Sequence, residues 1–375
     1  MAIRGWIVLV GLLGVCPAQA SPYSDLVVFG DSLSDVGNTS AATFGIQPGA
    51  GYFDGRFSNG RVFTERLASG LGVGPLTRSG AGGDAFAYGG AETDGPGGFA
   101  GLFVDSLVEQ VDDYVARLGG ATIDPAALHV VFIGANDLLG GQTDPATPAG
   151  VVRAQLERLV DAGARQLLGV NLPRLGLTPR FNNDPQQAAQ IDEATLAFNA
   201  ALSLGFDQIA AANPEVTTHR LDAQRLFDGV IAAPGSFGFA NATAPGIELP
   251  GDDLGRAAGY VFWDTIHPTR ELHALLGEAA LRAVFPLGDY NRDGAATSAD
   301  YGAWRDAYGV EFDAAAGLTP SLAADGGLDG SVDAADYTLW RDNSSPALVS
   351  VPEPSGVALL LWMGVWIAAR GRAQV

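Results

Sequence analysis

Ser32 closes the run Leu26-Val27-Val28-Phe29-Gly30-Asp31, four apolar residues followed by a glycine and an aspartate. Such a run reads as a short buried strand ending on a turn, and ligand crevices in open α/β sheets lie beyond those strand ends. A hydroxyl placed there is open to a substrate carbonyl, although Gly-Asp-Ser is equally good turn chemistry. A serine attacks at neutral pH only with a base, a group that orients the base, and donors for the developing oxyanion. The chain has four histidines to choose from. His129 opens an apolar strand and reads as structural, His219 lies in another strand, and His273 is expected at the surface of the last helix. His267 differs, because Phe262-Trp263-Asp264-Thr265-Ile266-His267-Pro268 sets an aspartate three residues before it and a helix just after. On a turn, that spacing lets Asp264 reach Nδ1 and leaves Nε2 free to face Ser32. The same spacing also fits an aspartate that merely caps the helix.

A second chemistry is suggested near the C-terminus. Asp289, Asn291, Asp293, Gly294, Ala295, Thr297 and Asp300 fall at positions one, three, five, six, seven, nine and twelve of a Ca²⁺ loop. Oxygens at alternate positions, with a glycine at the sharp turn, suit a hard cation. The pattern returns as Asp325, Gly327, Asp329, Gly330, Ser331, Asp333 and Asp336, where Gly327 lacks the third-position oxygen, so a weaker second site is expected. Each copy precedes a similar helical start, Tyr301-Gly302-Ala303-Trp304-Arg305-Asp306 and Tyr337-Thr338-Leu339-Trp340-Arg341-Asp342. Two acidic turns in a linker are the plainer alternative, and the paired Tyr-x-x-Trp-Arg-Asp argues against it.

These residues need elements to position them. Hydrophobic content of 47% with 17% charged residues supports a sizeable folded core. The net charge is −21 and every cation is arginine, a balance that repels phosphate backbones and excludes nucleic-acid binding as the expected function. Strands are expected at Leu26–Phe29, Leu128–Ile133, Gln166–Asn171 and Val216–Leu221. Amphipathic helices are expected over Val104–Leu118, Val151–Val160, Ile191–Ile209 and Leu272–Val284. Alternation of this kind predicts βα units and an α/β fold with a parallel sheet over residues 21–286. Glycine-rich loops at 45–60, 80–101 and 229–260 are long enough to wall a site.

Residues 1–20 read as an export signal, with Arg4, the apolar run Trp6–Val15 and the small-residue end Ala18-Gln19-Ala20. Val15 is larger than the residue lipidation of Cys16 needs, and with Cys16 removed no thiol would remain.

Four blocks then carry a resemblance: Gly30-Asp31-Ser32-Leu33, Ala87-Tyr88-Gly89-Gly90-Ala91, Gly134-Ala135-Asn136-Asp137 and Asp264-Thr265-Ile266-His267-Pro268. In order and spacing they resemble the GDSL hydrolases, the SGNH superfamily of serine esterases and lipases. Asp35-Val36-Gly37-Asn38, Ser106-Leu107 with Gln110-Val111 and Tyr114, and Asn171–Pro179 are similar to its plant-type and lecithinase-like branch. The resemblance implies a three-layer α/β/α, flavodoxin-like sheet, with Ser32 as nucleophile, His267 as base and Asp264 orienting it. It further implies an oxyanion hole from the N–H groups of Ser32 and Gly89 and the amide of Asn136, with no cofactor for catalysis. Asp31, Asn38 and Asp137 read as architectural. Ala85 stands where many relatives carry asparagine, which puts one loop hydrogen bond in question.

Residues 287–345 resemble a small all-α, type I dockerin-like module, which implies structural Ca²⁺ held by Asp289, Asn291, Asp293, Ala295, Thr297, Asp300, Asp325, Asp329, Ser331, Asp333 and Asp336, and a cohesin-like partner. Residues 346–375, with Pro352-Glu353-Pro354, the apolar stretch Gly356–Ala369 and closing arginines, resemble a PEP-CTERM sorting tail. That implies a sorting protease and a Gram-negative-type envelope. The expected function is a secreted or surface-attached esterase or lipase acting on a lipid, short-chain or acetylated-glycan ester. An acyltransferase or thioesterase with the same triad, and a surface attachment protein with an inactive hydrolase domain, are the alternatives.

Overall fold

The computed structural model describes residues 21–95, 103–312 and 322–344. The export segment 1–20 and the sorting tail 346–375 lie outside the described residues. Chain order is β1 Leu26–Gly30, α1 Asn38–Ala42, α2 Phe63–Leu71, α3 Leu107–Arg117, β2 Leu128–Phe132, α4 Ala135–Leu139, α5 Ala146–Asp161, β3 Gln166–Val170 and α6 Pro185–Ala212. There follow β4 Thr217–Leu221, α7 Ala223–Ala232, β5 Asn241–Pro245, β6 Tyr260–Phe262, α8 Arg270–Val284, α9 Ser298–Ala307 and α10 Ala334–Asn343.

Four strands pair in parallel in the order β1-β2-β3-β4, and β1 and β2 are buried along their whole length. Burial on both faces is why these strands read as unbroken apolar runs. Helix α2 packs on α8, while α3, α5 and α6 pack in series, so the sheet is the middle of three layers. The four expected strands and four long helices are present with ends moved by a few residues, as fraying ends allow. A second parallel pair, β5 with β6, lies in what the glycine-rich stretch 229–260 presented as loop. Both strands are short: β5 has exposed positions and no apolar run, and β6, Tyr260-Val261-Phe262, is only three residues long.

The sheet is extended at the β1 edge. Residues 84–88 run alongside β1, with Phe86 N–H donating to Val28 O at 2.7 Å and Tyr88 N–H to Gly30 O at 3.1 Å. Asn38 then closes that edge, its Nδ2 donating to the carbonyls of Ala85 (2.8 Å) and Ala87 (3.0 Å). The Ala85 backbone is thus fully used, and no asparagine is needed there to hold this loop.

The described residues after 286 lie against the α/β body. Arg292 pairs with Glu278 of α8, which also pairs with Arg66 of α2, and Phe312 packs on Phe239. Each acidic loop is organised by its first and twelfth carboxylates. Asp289 accepts from Asp293 and Gly294 N–H, and Asp300 from Asn291 and Thr297 N–H. Asp325 and Asp336 repeat those bonds with Asp329, Gly330, Gly327 and Asp333. The two halves exchange indole bonds: Trp304 donates to Asp333 O at 2.8 Å and Trp340 to Thr297 O at 2.6 Å. Among the described residues no three His, Cys, Asp or Glu side chains are gathered as a metal cluster.

Candidate active site

Ser32 sits two residues beyond β1 on a turn that only glycine at position 30 permits. Gly30 has φ 149°, and a Cβ there would stand 2.3 Å from Phe132 O. The turn is clamped by Gln110 of α3, whose Oε1 accepts from Gly30 N–H and whose Nε2 donates to Gly30 O, both at 2.9 Å.

The Asp264–His267 turn is delivered by β6. Trp263 N–H donates to His267 O at 2.8 Å and Thr269 N–H to Val261 O at 2.9 Å, which closes the turn over Asp264. Asp264 Oδ1 accepts from the N–H groups of Ile266 (2.8 Å) and His267 (2.7 Å), while Oδ2 lies 2.7 Å from His267 Nδ1. His267 Nε2 is 2.8 Å from Ser32 Oγ, although 235 residues separate them. The three side chains form one hydrogen-bonded line in which an imidazole can take the hydroxyl proton and a carboxylate can stabilise the resulting cation.

Two residues that the sequence reading passed over support this line. Tyr52, from the first glycine-rich loop, donates its hydroxyl to Asp264 Oδ2 at 2.7 Å. Phe57 packs its ring on His267, centroids 5.2 Å apart. A loop with no periodicity offers no local signal for either. Burial pushes the Asp264 carboxyl up, but the His267 imidazole and the two N–H donors outweigh it and hold the group below the usual carboxylate range.

On the opposite side of Ser32, the expected donor Gly89 is corrected by its contacts. Its N–H donates to Asp35 Oδ2 at 2.9 Å, and a Cβ there would stand 2.0 Å from the Phe57 ring. Gly89 is therefore a glycine that makes room for the ring on His267. Its neighbour Gly90 lines the same cavity, and among the described residues the N–H groups of Gly90 and Ser32 have no acceptor. Asn136 Nδ2 uses one hydrogen on Ala91 O at 2.8 Å, leaving the second for a ligand. Asp137 ties α4 to this loop by accepting from the Thr93 N–H and hydroxyl, as an architectural residue would.

The other histidines stay out of the site. His129 is buried with Nε2 3.2 Å from the Tyr114 hydroxyl, and His219 meets Tyr23 and the Ala283 carbonyl. His273, expected at the helix surface, is instead 1% exposed. Its Nδ1 accepts from Phe63 N–H at 3.2 Å, because the face of α8 that carries it packs on α2.

Ser32, Asn136 and His267 open into a cavity of about 200 Å³ with apolar walls from Leu33, Leu139, Leu172 and Phe227. A larger groove of about 770 Å³ between α7, α8 and the second acidic loop has no histidine or cysteine, so volume does not mark the chemistry. Asp31 also lines the cavity, and burial pushes its carboxyl up to about 7, opposed by Leu33 N–H and the His267 imidazole. The carboxyl therefore takes up a proton on folding between about pH 4 and about pH 7, so the melting temperature is expected to fall as pH rises through that window and to fall less in Asp31→Asn, checked by melts from pH 4 to 8.

A family model described as GDSL-like Lipase/Acylhydrolase matches residues 26–280, more than half of the chain. The chain belongs to the GDSL-like lipase/acylhydrolase family. It is 28% identical over 292 residues to the thermolabile hemolysin of Vibrio parahaemolyticus, covering 72% of this chain and 66% of that protein. Identity to the secreted effector protein SseJ of Salmonella typhimurium is 29% over 264 residues, covering 66% and 60%. The phosphatidylcholine-sterol acyltransferase of Aeromonas hydrophila is 27% identical over 333 residues, covering 74% of this chain and 96% of that protein. The aligned part therefore spans less than two thirds of the first two relatives and nearly all of the third.

Proposed function

We propose that this member of the GDSL-like family is a carboxylic ester hydrolase, an esterase or lipase, working through an acyl-enzyme on Ser32. The observation that carries the reading is the continuous hydrogen-bonded line from Asp264 through His267 to Ser32. Ser32 Oγ attacks the ester carbonyl carbon while His267 Nε2 takes its proton, and Asp264 keeps Nδ1 protonated and the ring aligned. The carbonyl oxygen becomes an oxyanion, received by the N–H of Ser32, the N–H of Gly90 and the free hydrogen of Asn136 Nδ2. Collapse breaks the C–O bond, and the alcohol leaves with the proton from Nε2. Water then repeats the sequence on the acyl-enzyme and releases the acid and Ser32. No cofactor is needed for these steps. A fluorophosphonate probe is expected to label Ser32, and Asn136→Ala to slow labelling and ester turnover together by about 10²–10³. Labelling at another serine, or undiminished rates in Asn136→Ala, contradicts the assignment.

Transfer of the acyl group to an alcohol is a second reading, favoured by the similarity along 96% of the acyltransferase. It uses the same site, and adding an alcohol acceptor to the ester assay separates transfer from hydrolysis.

For the paired loops we propose structural Ca²⁺. The donor chemistry fits: hard oxygens at alternate positions, and Gly294 and Gly330 at φ 94° and 91° on the sixth. Burial pushes Asp325 up to about 7, with the Asp336 and Asp329 carboxylates adding to it, a repulsion that a cation would relieve. Calcium is expected to raise the melting temperature by several degrees and chelation to reverse it. Asp289→Ala should remove more of that response than Asp325→Ala, and an unchanged melt with calcium refutes the reading.

A further inference from the structure

The two most exposed large apolar side chains among the described residues are Phe44, 90% exposed, and Ile46, 77% exposed. They stand at the tip of the loop leaving α1, beside Gln47, which lines the Ser32 cavity. This tip is a folded turn. Gly45 N–H donates to Ser40 O at 2.7 Å, Ile46 N–H to Thr43 O at 3.1 Å and Gln47 N–H to Thr43 Oγ1 at 3.1 Å. Phe44 is held at φ 54°, a left-handed conformation that a bulky residue adopts only at a steric cost. The fold thus holds two large apolar groups in water on the turn that supplies Gln47 to the cavity wall, where they add nothing to its stability. Exposed apolar groups arranged this way gain free energy only against an apolar partner.

Charge narrows the partner. A net charge of −21 with no lysine repels an anionic surface, while a neutral or zwitterionic one carries no such penalty. No helix among the described residues is long and apolar enough to cross a membrane. The cavity behind the tip has the apolar walls that an acyl chain leaving such a surface would enter.

We propose that Phe44 and Ile46 form a lipid-docking tip that seats the Ser32 cavity on a neutral or zwitterionic lipid surface, so that the preferred ester is aggregated lipid. This inference rests on the ester hydrolase reading. Its test uses the full chain, as wild type and as the Phe44→Ser, Ile46→Ser double variant. Substrates are dissolved p-nitrophenyl acetate and a tributyrin emulsion stabilised by phosphatidylcholine. The double variant is expected to melt as the wild type does and to keep its rate on the dissolved ester within about twofold. On the emulsion it should lose about tenfold or more, the scale of losing one buried apolar side chain. A Cys16→Ser, Ile46→Cys chain labelled with an environment-sensitive dye should brighten with phosphatidylcholine vesicles and far less with phosphatidylglycerol vesicles. That local signal separates the tip from any other apolar part of the chain. An unchanged emulsion rate in the double variant, or a dye that does not respond to phosphatidylcholine, overturns the proposal. Self-association of the wild type that the double variant abolishes, without vesicle response, assigns the tip to a second copy and overturns it too. Failure of the wild type on the dissolved ester would count against the hydrolase reading, while the dye still decides the docking.

Discussion

Ser32→Ala is expected to lower kcat for a short-chain p-nitrophenyl ester by about 10⁴-fold or more, with the melting temperature within a few degrees of wild type. The size follows from the loss of the covalent route: without Oγ no acyl-enzyme forms, and the remaining donors can only bind and polarise the carbonyl. Removing this hydroxyl costs the fold little, since its recorded bond is the one to His267 Nε2. Stopped-flow or steady-state rates together with a melt of the same sample check both halves. Full activity in a folded Ser32→Ala chain ends the assignment of this site as a serine hydrolase.

Asp264→Asn is expected to reduce kcat by about 10⁴ at pH 7 with KM little changed, equivalent to about 5.5 kcal/mol of transition-state stabilisation. Every bond recorded to the Asp264 oxygens comes from a donor: Ile266 and His267 N–H on Oδ1, His267 Nδ1 and the Tyr52 hydroxyl on Oδ2. An amide NH₂ in either place turns one acceptor into a donor. Toward Nδ1, it makes the imidazole accept there and carry its proton on Nε2, so the ring faces Ser32 with the wrong tautomer. Tyr52→Phe serves as the control, because it removes one bond to Oδ2 and leaves the tautomer alone. Its loss should stay below about tenfold. A kcat for Asp264→Asn as high as that of Tyr52→Phe would mean that the carboxylate does not set the histidine's proton.

The sheet could be read from the sequence because β1 and β2 are buried on both faces, and burial on both faces leaves an unbroken apolar run. The pair β5 and β6 could not, since β5 is short and partly exposed, and β6 has only three residues, too few to show a period. His273 was misplaced for a related reason: which face of a helix is buried depends on the partner it meets, and α2 covers the face of α8 that carries it.

Local sequence by itself determined the strand end that carries Ser32, the Asp264–His267 spacing, the four blocks of the family and the two acidic loops. These are properties of neighbours along the chain, where residue type and spacing act directly. Tertiary structure alone decided which N–H groups remain free: Asp35 reaches across to occupy Gly89, and Gly90 is left for a ligand. It likewise decided that Tyr52 bonds Asp264, that Phe57 packs on His267, and that Phe44 and Ile46 stand exposed beside Gln47 of the cavity wall. Each of these depends on contacts between segments far apart in the chain, and no local period or motif encodes such a contact.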